Sequence, residues 1–187
     1  MDINEALFIY INQHLQNPTL DMIMSGITDL GGFIILILAV LALLIFAHLT
    51  KRRALKRVAI IALVALLLSD LIAIFLKNYV HEPRPFMALK NVHLIIAEND
   101  SNSFPSGHAT STLAVVSVFL LNMDDLTKKY HVVIDIALLV FAVIIMFSRV
   151  YCGVHYPFDV LSGALIGIFG ALVVNYFKDN IFTILRL

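Results

Sequence analysis

Three short stretches of this chain carry residues whose types and spacing suit a phosphate ester. Lys77 and Arg84 frame Lys77-Asn78-Tyr79-Val80-His81-Glu82-Pro83-Arg84-Pro85, and Ser106, Gly107 and His108 close Ser103-Phe104-Pro105-Ser106-Gly107-His108. Arg149, His155 and Asp159 punctuate Ser148-Arg149-Val150-Tyr151-Cys152-Gly153-Val154-His155-Tyr156-Pro157-Phe158-Asp159. A transferring phosphoryl group spreads negative charge over its equatorial oxygens, so its catalysis is mainly positioning and electrostatic stabilisation. Lys77, Arg84 and Arg149 supply three cations; arginine grips phosphate with two parallel donors and lysine acts as a point charge. Ser106 and Gly107 stand where an apolar run begins. Their backbone N–H groups and the Ser106 hydroxyl can face an anion with a helix dipole behind them, and Gly107 allows close approach. Pro157 suits the first turn of a helix, which puts Asp159 one turn beyond His155.

The elements that must hold these residues are apolar. The chain has 187 residues, 60% hydrophobic and 14% charged, with zero formal net charge and a mean hydropathy of +0.93. Soluble domains are nearer a quarter charged, and a neutral chain gives no argument for a nucleic-acid partner. The single Cys152 excludes an internal disulfide and a multi-cysteine metal site. The start, Met1-Asp2-Ile3-Asn4-Glu5, lacks the basic opening of a cleavable signal peptide. Five long apolar runs read as membrane spans, at about 33–49, 58–76, 106–121, 132–147 and 158–177. Before them, residues 3–15 read as a short amphipathic helix at the interface, and Thr19 is expected to cap a second one that ends at Gly31-Gly32. Gly163, Gly167 and Gly170 in the last span favour close helix packing.

The expected fold is therefore all-α: an integral membrane helical bundle with five transmembrane helices and one or two N-terminal interfacial helices, a sixth crossing being left open. One membrane-embedded domain covers 1–187, with 1–31 as the N-terminal segment and 77–108 as an outer active-site loop. Lys51, Arg52, Arg53, Lys56, Arg57, Lys128, Lys129, Lys178 and Arg186 fall on one side of five spans, nine of the thirteen Lys and Arg residues. That side is expected to be cytoplasmic. The three polar stretches then share the non-cytoplasmic face of a cell membrane.

In order and spacing, these stretches resemble the three-part signature of the type 2 phosphatidic acid phosphatase superfamily. Its members include membrane lipid phosphatases, glucose-6-phosphatase and the vanadium haloperoxidases. The motifs run from Lys77 to Asp159, and the apolar layout extends the likeness over most of the chain. The resemblance implies that His155 is the nucleophile and forms a phosphohistidine. Asp159 would fix its tautomer, and His108 would protonate the leaving oxygen and then activate water. Neutral His155 with protonated His108 implies a bell-shaped pH profile. Lys77, Arg84, Ser106, Gly107 and Arg149 would bind the phosphate, with no metal and no other cofactor.

Other polar residues read as structural. His81, Glu82 and His93 read as solvated loop residues. So do Glu98 and Asp100, with a role in leaving-group specificity as the rival. Asp70, within the second span, reads as a polar contact to a neighbouring helix, and Cys152 as a packing residue. The substrate expected from the small size, outward site and compact loop is undecaprenyl pyrophosphate, with phosphatidylglycerophosphate or phosphatidate as alternatives. A non-enzymatic anionic-lipid transporter is the rival class, although the sequence has no convincing internal repeat. The expected partners are the lipid substrate and the bilayer, with no obligatory protein partner evident.

Overall fold

The computed structural model of the protein describes residues 2–187. They are helical throughout apart from loops and a single antiparallel bridge between Pro83 and Asn102. In chain order the helices are α1 (Ile3–Ile9), α2 (Pro18–Thr28), α3 (Phe33–Leu49), α4 (Arg53–Val80), α5 (Pro85–Ala88), α6 (Gly107–Leu121), α7 (Met123–Leu126), α8 (His131–Tyr151), α9 (Pro157–Tyr176) and α10 (Lys178–Ile184). A π-helical turn, Tyr10–His14, prolongs α1, and a 3₁₀ turn, Asp29–Gly31, links α2 to α3.

The five expected spans correspond to α3, α4, α6, α8 and α9, but they are not five equal crossings. Only α4, α8 and α9 are long and apolar enough alone; α2 and α3 would make a fourth as a broken span bent by 59°. The reason α6 is short lies in its position. It is the axis of the bundle, packed on α3, α4, α8 and α9, and every residue from Ala109 to Val118 is buried. A helix wrapped by protein needs neither full span length nor an apolar surface, so Thr110, Ser111, Thr112 and Ser117 are accommodated inside. By contrast α8 exposes Val132, Val133, Ile136, Leu139, Val140 and Val143. Similar apolar faces on α3, α4 and α9 complete a belt of the kind that faces lipid.

The α6–α9 seam is very tight. A Cβ at Gly163 would lie 2.4 Å from the Ser106 carbonyl oxygen, and one at Gly167 2.4 Å from that of Thr110. These glycines draw the start of α9 onto the start of α6, which is how Asp159 and Ser106 become neighbours. Within α4, Asp70 accepts from the Ser111 hydroxyl of α6 at 2.9 and 2.8 Å, the interhelical contact expected of it.

At the N-terminus the cap of α2 is Asn17 rather than Thr19. Its side chain accepts from the Thr19 and Leu20 amides, and Pro18 fills the first helical position. Nor is the N-terminal segment merely interfacial. Phe8, Asn12 and Thr28 are fully buried. The Asn12 amide donates to the His93 and Tyr151 carbonyls at 2.9 and 2.8 Å and accepts from the His93 N–H. The segment thus ties the long 89–106 loop to the end of α8.

Candidate active site

The site is assembled where α4 and α8 end and α6 and α9 begin. Lys77 projects from the last turn of α4. After that helix the chain turns through His81, whose φ of +54° is left-handed, and brings Arg84 back over the bundle. Arg149 closes α8. A tight turn follows, Cys152 N–H to Ser148 O and Gly153 N–H to Val150 O. Gly153 has a φ of +84°, and a Cβ there would lie 2.8 Å from the His93 carbonyl oxygen, so both the turn and the loop crossing it call for glycine. The turn delivers His155 to the interior, 1% exposed.

The imidazole of His155 is held at both nitrogens. Its Nδ1 faces Asp159 Oδ2 at 3.4 Å and Ser103 Oγ at 3.4 Å. Asp159 is itself fixed: its Oδ2 accepts from the Tyr156 amide at 2.8 Å and from the Ser103 hydroxyl. This arrangement favours the proton on Nδ1 and leaves the lone pair on Nε2, which faces Arg84 Nη1 at 3.1 Å. Burial first, then the charges of Arg149, Arg84, Lys77 and His108, push His155 well below its ordinary value, so the ring is neutral near pH 7.

The cations lie close around that ring. Arg84 is 2% exposed and Arg149 1%. Arg84 Nη1 also donates to the Val154 carbonyl at 2.9 Å. Arg149 Nη1 donates to Thr28 Oγ1 at 3.0 Å, and the Ser148 hydroxyl donates to the same oxygen at 3.0 Å. The Nε of Arg149 has no partner among the described residues. Neutral acceptors fix the Nη1 side of both guanidinium groups, while their Nη2 atoms face Glu98.

Ser106 caps α6, and its N–H donates to the Asp159 carbonyl at 3.0 Å. Behind it the Ala109 and Thr110 amides turn back to Ser106, and the helix starts at Gly107 and His108. The His108 Nε2 lies near Gly32, where a Cβ would approach it to 3.3 Å. All eight residues expected from the sequence are thus gathered at one end of the bundle. Two others were missed. Ser103 was visible beside the Pro-Ser-Gly-His run but had no assigned partner; Thr28 lies in a segment read as peripheral. Two expectations for the loop are corrected. His93 is not a free loop residue, because its Nε2 pairs with Asp21 at 2.9 Å, and Tyr151 donates to the same carboxylate at 2.7 Å. Glu98 and Asp100 are not merely solvated: both lie on the cations.

Comparison with known proteins gives the family. Residues 58–182 match the PAP2 superfamily. The chain belongs to that superfamily. It is 35% identical to the bacitracin transport permease protein BcrC of Bacillus licheniformis over 67% of the chain, a stretch spanning only 56% of that relative. With undecaprenyl-diphosphatase BcrC of Bacillus subtilis the identity is 31%, covering 87% of the chain and 77% of that protein. Among solved structures, Aquifex aeolicus LpxE superposes with a TM-score of 0.76 at 30% identity, covering 94% of this chain and 96% of that one. A PAP2-type phosphatidylglycerolphosphate phosphatase from Bacillus subtilis gives 0.72 at 28%, covering 95% and 85%. This PAP2 protein is a membrane lipid phosphatase.

Proposed function

We propose that this phosphatase hydrolyses undecaprenyl pyrophosphate, or a closely related polyprenyl diphosphate, to the monophosphate at the non-cytoplasmic face of the membrane. The observation that carries the mechanism is the two-sided setting of His155: Nδ1 against Asp159 and Ser103, Nε2 against the buried Arg84. In the first step Nε2 attacks the terminal phosphorus. A P–N bond forms as the P–O bond to the departing lipid phosphate breaks, and protonated His108 gives its proton to that oxygen. Asp159 stabilises the resulting imidazolium. In the second step neutral His108 takes a proton from water. The hydroxide adds to phosphorus, the P–N bond breaks, and inorganic phosphate leaves. Arg84, Arg149, Lys77 and the Ser106–Gly107 start of α6 stabilise the charge developing on phosphorus-bound oxygens in both steps. No metal is required, since the cations supply its electrostatic role, and a chelator is expected to leave the rate unchanged.

The diphosphatase reading draws on a relative of that name matching most of the chain. The face draws on the crowding of basic residues at the opposite end of the bundle. The apolar belt lets the lipid tail stay in the bilayer while its head reaches the cations. A second reading, phosphatidylglycerophosphate as substrate, is favoured by the likeness to the Bacillus subtilis phosphatase. Phosphate release from a panel of polyprenyl diphosphate, phosphatidylglycerophosphate and phosphatidate in detergent separates the two. The expected result is the highest kcat/KM on the diphosphate; a clear preference for phosphatidylglycerophosphate would replace the first reading with the second.

A further inference from the structure

The three cations already hold two oxygens that belong to the protein. Glu98 Oε2 lies 3.1 Å from Arg149 Nη2 and 3.4 Å from Arg84 Nη2. Asp100 Oδ2 lies 2.8 Å from Lys77 Nζ and 3.5 Å from Arg84 Nη2. Two carboxylate oxygens thus bridge the three cations in a row, as two oxygens of one phosphoryl group would. Arg84 is shared between both acids and the His155 Nε2, so the nucleophile and the anion cradle are engaged together.

The two acids are built to leave. Their side chains are 21% and 42% exposed, while those of Arg84 and Arg149 are 2% and 1% exposed. The carboxylates can swing into water; the guanidinium groups cannot follow. The loop stays tethered when they do, because Asn12 and Asp21 hold it at His93. Asp100 remains a carboxylate throughout: burial would raise its pKa, but the hydrogen bond from Lys77, the Asn102 amide and the charges of Lys77 and Arg84 outweigh it.

Any anion entering must outcompete two carboxylates. A bilayer is crowded with phosphodiester headgroups, each with one negative charge shared over two free oxygens. A terminal phosphate carries roughly 1.5 to 2 negative charges and three free oxygens. Against bare cations, the abundant diester would occupy the site. Against cations already paired, only the more highly charged terminal phosphate gains by exchange, which is selection by a built-in competitor.

We propose that Glu98 and Asp100 are specificity-determining residues: they keep the Lys77–Arg84–Arg149 cradle closed to phosphodiester headgroups and yield it to a terminal phosphate. This rests on reading the cradle as the phosphate site.

The test uses the full chain in detergent micelles with Glu98→Gln, Asp100→Asn and the double variant. Inorganic phosphate and dimethyl phosphate are the probes. Binding is read from the rise in melting temperature with ligand concentration, which needs no turnover. The native protein should bind phosphate and ignore dimethyl phosphate. In the variants phosphate should bind more tightly, by on the order of tenfold in the double variant, and dimethyl phosphate should become a ligand. Asp100→Asn alters a half-exposed side chain and decides the matter alone if the double variant does not fold. Unchanged or weaker phosphate binding in the variants, with dimethyl phosphate still ignored, overturns the proposal. Phosphate failing to bind the native protein and the variants alike overturns the phosphate-site reading and the proposal with it.

Discussion

At one end of the bundle Lys77, Arg84 and Arg149 surround a buried imidazole; at the other, Arg52, Arg53, Lys56, Arg57 and Arg186 line open ground. The second cluster has more charge and a cavity of about 430 Å³ bounded by Arg53, Lys56, Arg57, Arg186 and Leu187. Arg52, Arg53 and Arg57 are nevertheless exposed, and their contacts are loose: Arg57 donates to the Leu187 carbonyl, and Arg52 and Arg57 lie over Phe46 and Phe182. Water screens such charges, so they stabilise little in a reaction. The cations near His155 are withdrawn from water and held in place by Thr28, Val154, Asn102 and the two acids. In that setting the same side chains would interact strongly with a charge developing beside them, as the proposed mechanism requires. Burial with fixed partners, more than the number of charges, separates the candidate site from the basic end.

Substitutions at the two ends should therefore differ by orders of magnitude. His155→Ala removes the nitrogen proposed to attack phosphorus and should lower kcat by about 10⁴-fold or more, measured as phosphate release, with helicity by circular dichroism unchanged. Arg149→Ala leaves Glu98 without its nearest cation and removes a cation proposed to stabilise the transition state; kcat/KM should fall on the order of 10²–10³-fold, and Arg149→Lys should recover only part of it. A joint Arg53→Ala and Arg57→Ala change at the opposite end should keep kcat/KM within about twofold in detergent. A loss comparable to that of Arg149→Ala would erase the distinction between the ends.

A pH series sharpens the same contrast. Burial, then the nearby cations, depress the folded-state pKa of His155, while the unfolded chain titrates near the ordinary value of about 6.5. Below that value the unfolded state binds the proton and the folded state does not, so this residue lowers stability as pH falls through about 6.5 and below. His155 stays neutral over the same range, so under the proposed mechanism its acid limb of kcat/KM should lie below about pH 6.5. In Arg149→Ala that limb should move upward, though not fully, because burial is the larger cause. An acid limb unmoved by the substitution would show that Arg149 does not act on the ring.

Much of this was legible from residue types. Lys77, Arg84, Ser106, Gly107, His108, Arg149, His155 and Asp159 stood out by their types and by the order and spacing of the superfamily's three motifs, and the fold gathers them at one end of the bundle, while their roles belong to the proposed mechanism. The helices were legible as apolar runs, but α6 was not legible as the buried axis. Its serines and threonines look the same in a sequence whether they face lipid, water or four neighbouring helices. The N-terminal segment hid its role for a similar reason: Asn12 and Thr28 are ordinary polar residues until Tyr151, His93 and Arg149 are brought to them from far along the chain. Glu98 and Asp100 were read as solvated because a loop without periodicity gives no direction to its side chains, and only the folded loop sets them on Arg84, Arg149 and Lys77.

The most direct test of a histidine-based phosphoryl transfer is to quench the enzyme during turnover and map bound phosphate by mass spectrometry under mildly alkaline conditions, which preserve a phosphoramidate. Phosphate on His155, absent in His155→Ala, is the expected result. Steady hydrolysis with His155 unmodified, or full activity in His155→Ala, would contradict the account.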